Sequence, residues 1–243
     1  MSRTTDPQPP DPPWGVAASI VWTLAALLIG IVVASVFLGI LSGAGSPRSS
    51  NAYDGVMIAF GIIASVPAQV AVLVFAAQWR RWPPAIYLGL VTPRRAEVIV
   101  AVACIIALAV VFDGILYLSG RELVQPSQVE AWRTAVDAGW LVGLLAAIVV
   151  VAPIGEEIIF RGFLFRGLAK PGWEVHAVGG IALAWALLHI QYDWFGMAQV
   201  FLAGLMLGWF RWASGSTVLT IGMHMLINLL SMIETWIKVE YFS

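Results

Sequence analysis

The sequence predicts an all-α membrane protein: a polytopic bundle of about seven transmembrane helices with one additional amphipathic helix at the surface. Three observations carry this expectation. Of the 243 residues, 60% are hydrophobic and only 11% are charged, against about 25% charged in an ordinary soluble domain. The mean hydropathy is +0.88. The apolar stretches are continuous rather than alternating, which argues against a transmembrane β-barrel. A mass of 26.2 kDa leaves room for one bundle and no second sizeable domain.

Residues 1–14, MSRTTDPQPPDPPW, hold five prolines and no apolar periodicity, and are expected to be a disordered tail. Residues 15–243 then form a single transmembrane domain. The uncharged stretch Val16 to Leu41 is too long for a signal-peptide core and is expected to stay as the first span. The second runs from about Val56 to Gln78 and is closed by Trp79, Arg80, Arg81, Trp82 and the Pro83-Pro84 break. The third covers about Val98 to Leu118, the fourth begins near Trp140 and the fifth follows Glu174. The sixth covers about Met197 to Phe210 and the seventh Thr217 to Trp236. Spans five and six are short, as tilted or re-entrant helices are.

Between spans three and four, GRELVQPSQVEAWRTAVDAGW is too polar to cross a bilayer yet places Val129, Trp132 and Val136 at helical spacing. A surface helix is expected there, started by a capping box of Ser127 and Glu130.

Seven spans put Arg3, Arg80, Arg81, Arg94, Arg95, Arg161, Arg166, Lys170 and Arg211 on one side, nine of the thirteen basic residues. The positive-inside rule then places the N-terminus in the cytoplasm and the C-terminus outside. Short loops and the lack of organelle signals suggest a bacterial plasma membrane. Arg166 and Lys170 read as headgroup anchors. A net charge of −1 offers no surface for nucleic acid. Cys104 is the single cysteine, lies in an apolar run, and is expected to be inert.

Ionisable groups inside spans are costly and are by default paired or functional. Span four carries APIGEEIIFRGFLFRGL, in which Glu157 and Arg161 stand four apart on one face, in the order that favours an ion pair. Glu156 is turned about 100° away from that pair, with Ala152 and Phe160 at the positions where a partner on the same helix would sit. Its partner must come from elsewhere. Span five offers His189, and span seven offers His224 and Asn228 on one face. Counting about 1.5 Å per residue from the cytoplasmic helix ends puts Glu156 and His189 both roughly 21 Å deep and His224 about 12 Å. A cluster of Glu156, His189, His224 and Asn228 is therefore geometrically allowed.

A carboxylate beside an imidazole in an apolar bundle can act as general base for water. A His and an Asn one turn apart can aim donors at a developing oxyanion. The same Glu and two His could also hold a metal with one position open, although the HExxH signature is absent. Serine, aspartyl and nucleotide-driven chemistries lack their motifs: no GxSG, no GxGD, no in-span Lys and no P-loop occur.

These motifs resemble those of the CPBP membrane proteins, the family of the CAAX prenyl endopeptidases and their bacterial Abi-like relatives. The family pattern EExxxR, FxxxH, HxxxN on successive spans occurs here as Glu156-Glu157 with Arg161, then Trp185 with His189, then His224 with Asn228. The likeness covers residues 140–236. It departs at Trp185, where the family carries Phe; the larger aromatic is expected to keep the packing role. The resemblance implies an intramembrane endopeptidase in which Glu156 activates water with help from His189, while His224 and Asn228 stabilise the oxyanion. Glu157 and Arg161 would form the structural ion pair. No metal cofactor is implied, and zinc stays open on the residues alone. The expected partners are the lipid bilayer and a membrane-associated peptide or protein substrate. The alternative from another class is a non-catalytic scaffold or small-solute carrier using the same polar cluster, against which stands the lack of a half-to-half repeat.

Overall fold

The structure is a computed structural model that describes residues 13–43 and 54–242, with only the backbone of Ser42. The expected tail thus lies outside the described residues except for Pro13 and Trp14, as do Arg3 and Arg48. All described secondary structure is helical: α1 Val16–Gly43, α2 Gly55–Trp79, α3 Pro84–Tyr87, α4 Arg95–Leu118 and α5 Pro126–Asp137 come first. They are followed by α6 Leu141–Leu168 and by α7 Glu174–Leu187, α8 Trp194–Ser214 and α9 Thr217–Tyr241.

Five of these helices, α1, α2, α4, α6 and α9, are long and apolar enough to cross a membrane. That is two fewer than the seven expected from sequence. The 14 residues of α7 extend about 21 Å, short of the roughly 30 Å hydrocarbon core. The other is α8, of 21 residues. Side-chain bonds nevertheless sort the ends of the bundle into two groups, as an alternating path requires. At one end Trp14 Nε1 donates to the carbonyl of Ala76, Arg166 donates to the carbonyls of Ile86 and Tyr87, and Ser216 Oγ donates to that of Val91. At the other, Arg121 pairs with Asp193, Lys238 with Glu122, and the Gly55 N–H donates to Thr134 Oγ1.

Arg166 is therefore no simple headgroup anchor. Its guanidinium pins α3 to the bundle and stacks over Trp82 at 4.9 Å, while burial, the main cause, raises the pKa of Tyr87 above the ordinary tyrosine value. Helix α5 also differs from expectation. Its N-cap is Gln125, whose backbone N–H donates to the Gln128 side chain, so the box is formed by Gln125 and Gln128 rather than Ser127 and Glu130. Ala131, Trp132 and Ala135 are buried. A Cβ on Gly55 would collide with the Ala131 carbonyl oxygen, so α2 and α5 touch backbone to backbone.

The core lies where α2, α6, α7, α8 and α9 converge, with Leu73, Tyr87, Ile159, Phe163, Ile181 and Leu207 all buried. Large apolar side chains of α1 such as Val21, Leu24, Leu28 and Ile31 stay exposed, as a lipid-facing surface requires. Helix α6 carries the first motif and is not uniform. It is π-helical over Ala146–Val151, α-helical over Ala152–Glu157, and π-helical again over Ile158–Leu164. Pro153 explains the first widening, since its ring displaces the carbonyl one turn earlier and it has no N–H to give. Glu156 and Glu157 sit on the short α-helical step between the two π turns.

Candidate active site

The local backbone brings the two carboxylates of α6 to different surroundings. Gly155, just before them, is pressed against α2, where a Cβ would meet Val66 Cγ2 at 2.8 Å. Glu157 points into the protein and is fully buried. Its Oε1 accepts from Arg161 Nη1 at 2.9 Å and from His224 Nδ1 at 3.0 Å. Arg161 is equally buried, donates from Nη2 to the Gly204 carbonyl at 3.2 Å and lies 4.6 Å from the Trp185 ring centre. The expected Glu157–Arg161 pair is thus present, and His224 completes a triad with it.

Glu156 is half-buried and faces the other way, its Oε2 accepting from Trp185 Nε1 at 2.5 Å. Trp185 is therefore a donor as well as a packing group. Its ring centre lies 5.2 Å from that of His189 and 5.2 Å from that of His224, edge-on to both. The ring is fixed from behind by Gly204, where a Cβ would stand 3.1 Å from Trp185 Cε3.

His189 lies two residues past the end of α7 rather than within the helix, in the turn leading to Asp193. Its Nδ1 stands 2.9 Å from the Trp185 carbonyl. A carbonyl only accepts, so Nδ1 carries the hydrogen, adds a second donor to a helix-end carbonyl that also accepts from the Leu188 N–H, and leaves Nε2 as the basic nitrogen. The same logic puts a hydrogen on His224 Nδ1, which faces the acceptor Glu157. His224 is only 4% exposed. Because it touches a neighbour of Glu156, it lies level with the carboxylates and not a turn and a half shallower. Asn228, one turn on, donates from Nδ2 to the Ile148 carbonyl at 2.8 Å.

Glu156, His189, His224 and Asn228 all line one cavity of about 230 Å³. Ser127, Gln128 and Ala131 of α5 roof it, and Gln128 Nε2 is bonded to Ser231 Oγ at 2.9 Å. A second cavity of about 210 Å³ shares His189, His224 and Asn228 and runs on between α4, α8 and α9 past Asp113 and Glu234. Sequence reasoning passed over Glu234, Trp185 as a donor, and the contribution of α5. The Trp-for-Phe departure was the one signal available for Trp185. No three His, Cys, Asp or Glu side chains form a metal-holding group among the described residues.

Residues 138–230, which contain all of these motifs, match the family described as Type II CAAX prenyl endopeptidase Rce1-like. The match is confined to this motif-bearing part of the chain. The matched family is one of proteases, and the match lies in a chain whose several long apolar helices are those of a multi-pass membrane protein. An Escherichia coli relative, "Uncharacterized 24.3 kDa protein", is 28% identical over 124 residues, 49% of this chain and 57% of the relative. The chain therefore spans little more than half the length of that curated relative. No solved structure matches it.

Proposed function

We propose that this protein is an intramembrane endopeptidase that cleaves a membrane-associated peptide by glutamate-activated water. The observation that carries the reading is the convergence of Glu156, His189, His224 and Asn228, from two helices and one turn, on a single cavity inside the bundle. Glu156, with Oε2 held by Trp185, keeps Oε1 for a water molecule. His189, through Nε2, orients that water. Glu156 takes a proton from the water, the hydroxide attacks the peptide carbonyl carbon, and the carbonyl oxygen becomes the oxyanion. His224, steadied through Nδ1 by Glu157, and Asn228, through the second hydrogen of its amide, stabilise it. Glu156 then passes its proton to the leaving amine as the C–N bond breaks.

The reading includes a cytoplasmic N-terminus in a bacterial plasma membrane. It is tested by turnover of membrane-anchored fluorogenic peptides in nanodiscs by wild type and Glu156→Gln, each with and without chelator. The expected result is cleavage by wild type, unaffected by chelator, and a loss of at least about 10²-fold in the variant. Chelator sensitivity reversed by zinc overturns the metal-free mechanism. Equal cleavage by both proteins overturns the role of Glu156. A folded wild type that cleaves nothing favours the scaffold or carrier reading.

A further inference from the structure

We infer that Trp185 is a positioning residue for the proposed general base, its indole N–H selecting which oxygen of Glu156 meets the water; this rests on the function proposed above. Four contacts meet on this one side chain. Nε1 donates to Glu156 Oε2. The ring stands edge-on to His189 and His224, and its face receives the Arg161 guanidinium. The side chain is 3% exposed, held by Gly204 behind it.

A carboxylate with two free oxygens can rotate and present either to a substrate water. Tying Oε2 to a rigid, buried indole removes that freedom and leaves Oε1 as the basic position. The N–H also stabilises the charged carboxylate, which a phenylalanine ring at position 185 cannot do. Other charged or titratable groups near Glu156 are Glu157 and Arg161 on α6, His189 and Tyr192 in the turn after α7, and His224 on α9. Glu157, Arg161, His189 and His224 spend their hydrogen bonds on other partners, so the indole is the one side-chain donor to Glu156 among the described residues.

The test needs no substrate. Full-length protein labelled with ¹⁵N-tryptophan in nanodiscs gives indole N–H resonances, and Trp185→Phe identifies the one from Trp185. A hydrogen bond to a carboxylate displaces that resonance downfield. In Glu156→Gln it is expected to return upfield, while the remaining indole resonances stay in place and report an intact fold. Lowering the pH of wild type should move it in the same direction, and should leave it unmoved in Glu156→Gln. A Trp185 resonance indifferent to both changes overturns the proposal. If Trp185→Phe does not fold, 3-benzothienylalanine at position 185, which keeps the shape and lacks the N–H, takes its place. On the fluorogenic peptides, loss of the N–H is expected to lower kcat about tenfold with KM unchanged, equivalent to about 1.4 kcal/mol; a change confined to KM overturns the positioning role. Cleavage by Glu156→Gln would remove the base itself, whereas an unmoved resonance beside an inactive Glu156→Gln removes only the part assigned to Trp185.

Discussion

Asn228 donates to the carbonyl of Ile148, a carbonyl that the helix itself leaves without a partner. The N–H of Ala152 bonds back to Ala147 in the π pattern, and the next residue that could serve Ile148 is Pro153, which has no N–H. An unpaired carbonyl inside a membrane bundle is costly. Asn228 therefore closes a gap in α6 that Pro153 opens, and fixes α9 to α6 immediately before the two glutamates.

This pairing predicts a thermodynamic cycle. Asn228→Ala should destabilise the protein by about 1–3 kcal/mol. Pro153→Ala should recover part of that loss in the double variant, because position 153 regains an N–H, although alone it disturbs the step that carries Glu156. Thermal unfolding of the four proteins in one detergent gives the coupling; strictly additive effects would contradict it.

The triad of Glu157, Arg161 and His224 makes a different prediction. Both members of the ion pair have no exposed side-chain surface, and Glu157 Oε2 and Arg161 Nε have no hydrogen-bond partner among the described residues. Removing one member leaves an uncompensated buried charge. Arg161→Ala is expected to cost about 3–5 kcal/mol, and Glu157→Gln combined with Arg161→Met distinctly less. Unfolding midpoints compared across these variants check the order.

His189 and His224 should separate kinetically. His224→Ala removes a buried group bonded to Glu157 and is expected to lower both stability and turnover. His189→Ala removes a half-buried side chain at a helix end, and is expected to cost about 10²–10⁴ in kcat with a smaller stability change. Matched melting and turnover measurements decide this, and equal destabilisation by both variants would count against it.

The path of the chain can be read by labelling. In a Cys104→Ser background, Lys170→Cys should react with a membrane-impermeant maleimide only from the cytoplasmic side, and Gly120→Cys only from the other. Both reacting from one side would break the alternation that the two sets of end contacts describe.

Much of this was legible in the sequence because the membrane makes polarity expensive. Adjacent glutamates in an apolar run, an arginine four residues on, and histidines in later spans announce themselves. What escaped was whatever depends on backbone geometry. The π turns around Glu156 and Glu157 rotate their faces, so His224 meets Glu157 rather than Glu156. The early end of α7 puts His189 in a turn. Periodicity at 3.6 residues cannot show either. Helix α5 was identifiable as amphipathic, but only tertiary packing shows that its polar side roofs the cavity.

The shortness of α7 has a consequence for the lipid around it. Its outer side carries Leu183 and Leu187 to the surface, as the turn after it does Leu188 and Ile190, yet the helix falls about 9 Å short of a typical hydrocarbon core. A bilayer that thins to match that flank would bring headgroups and water toward the level of the His189 turn.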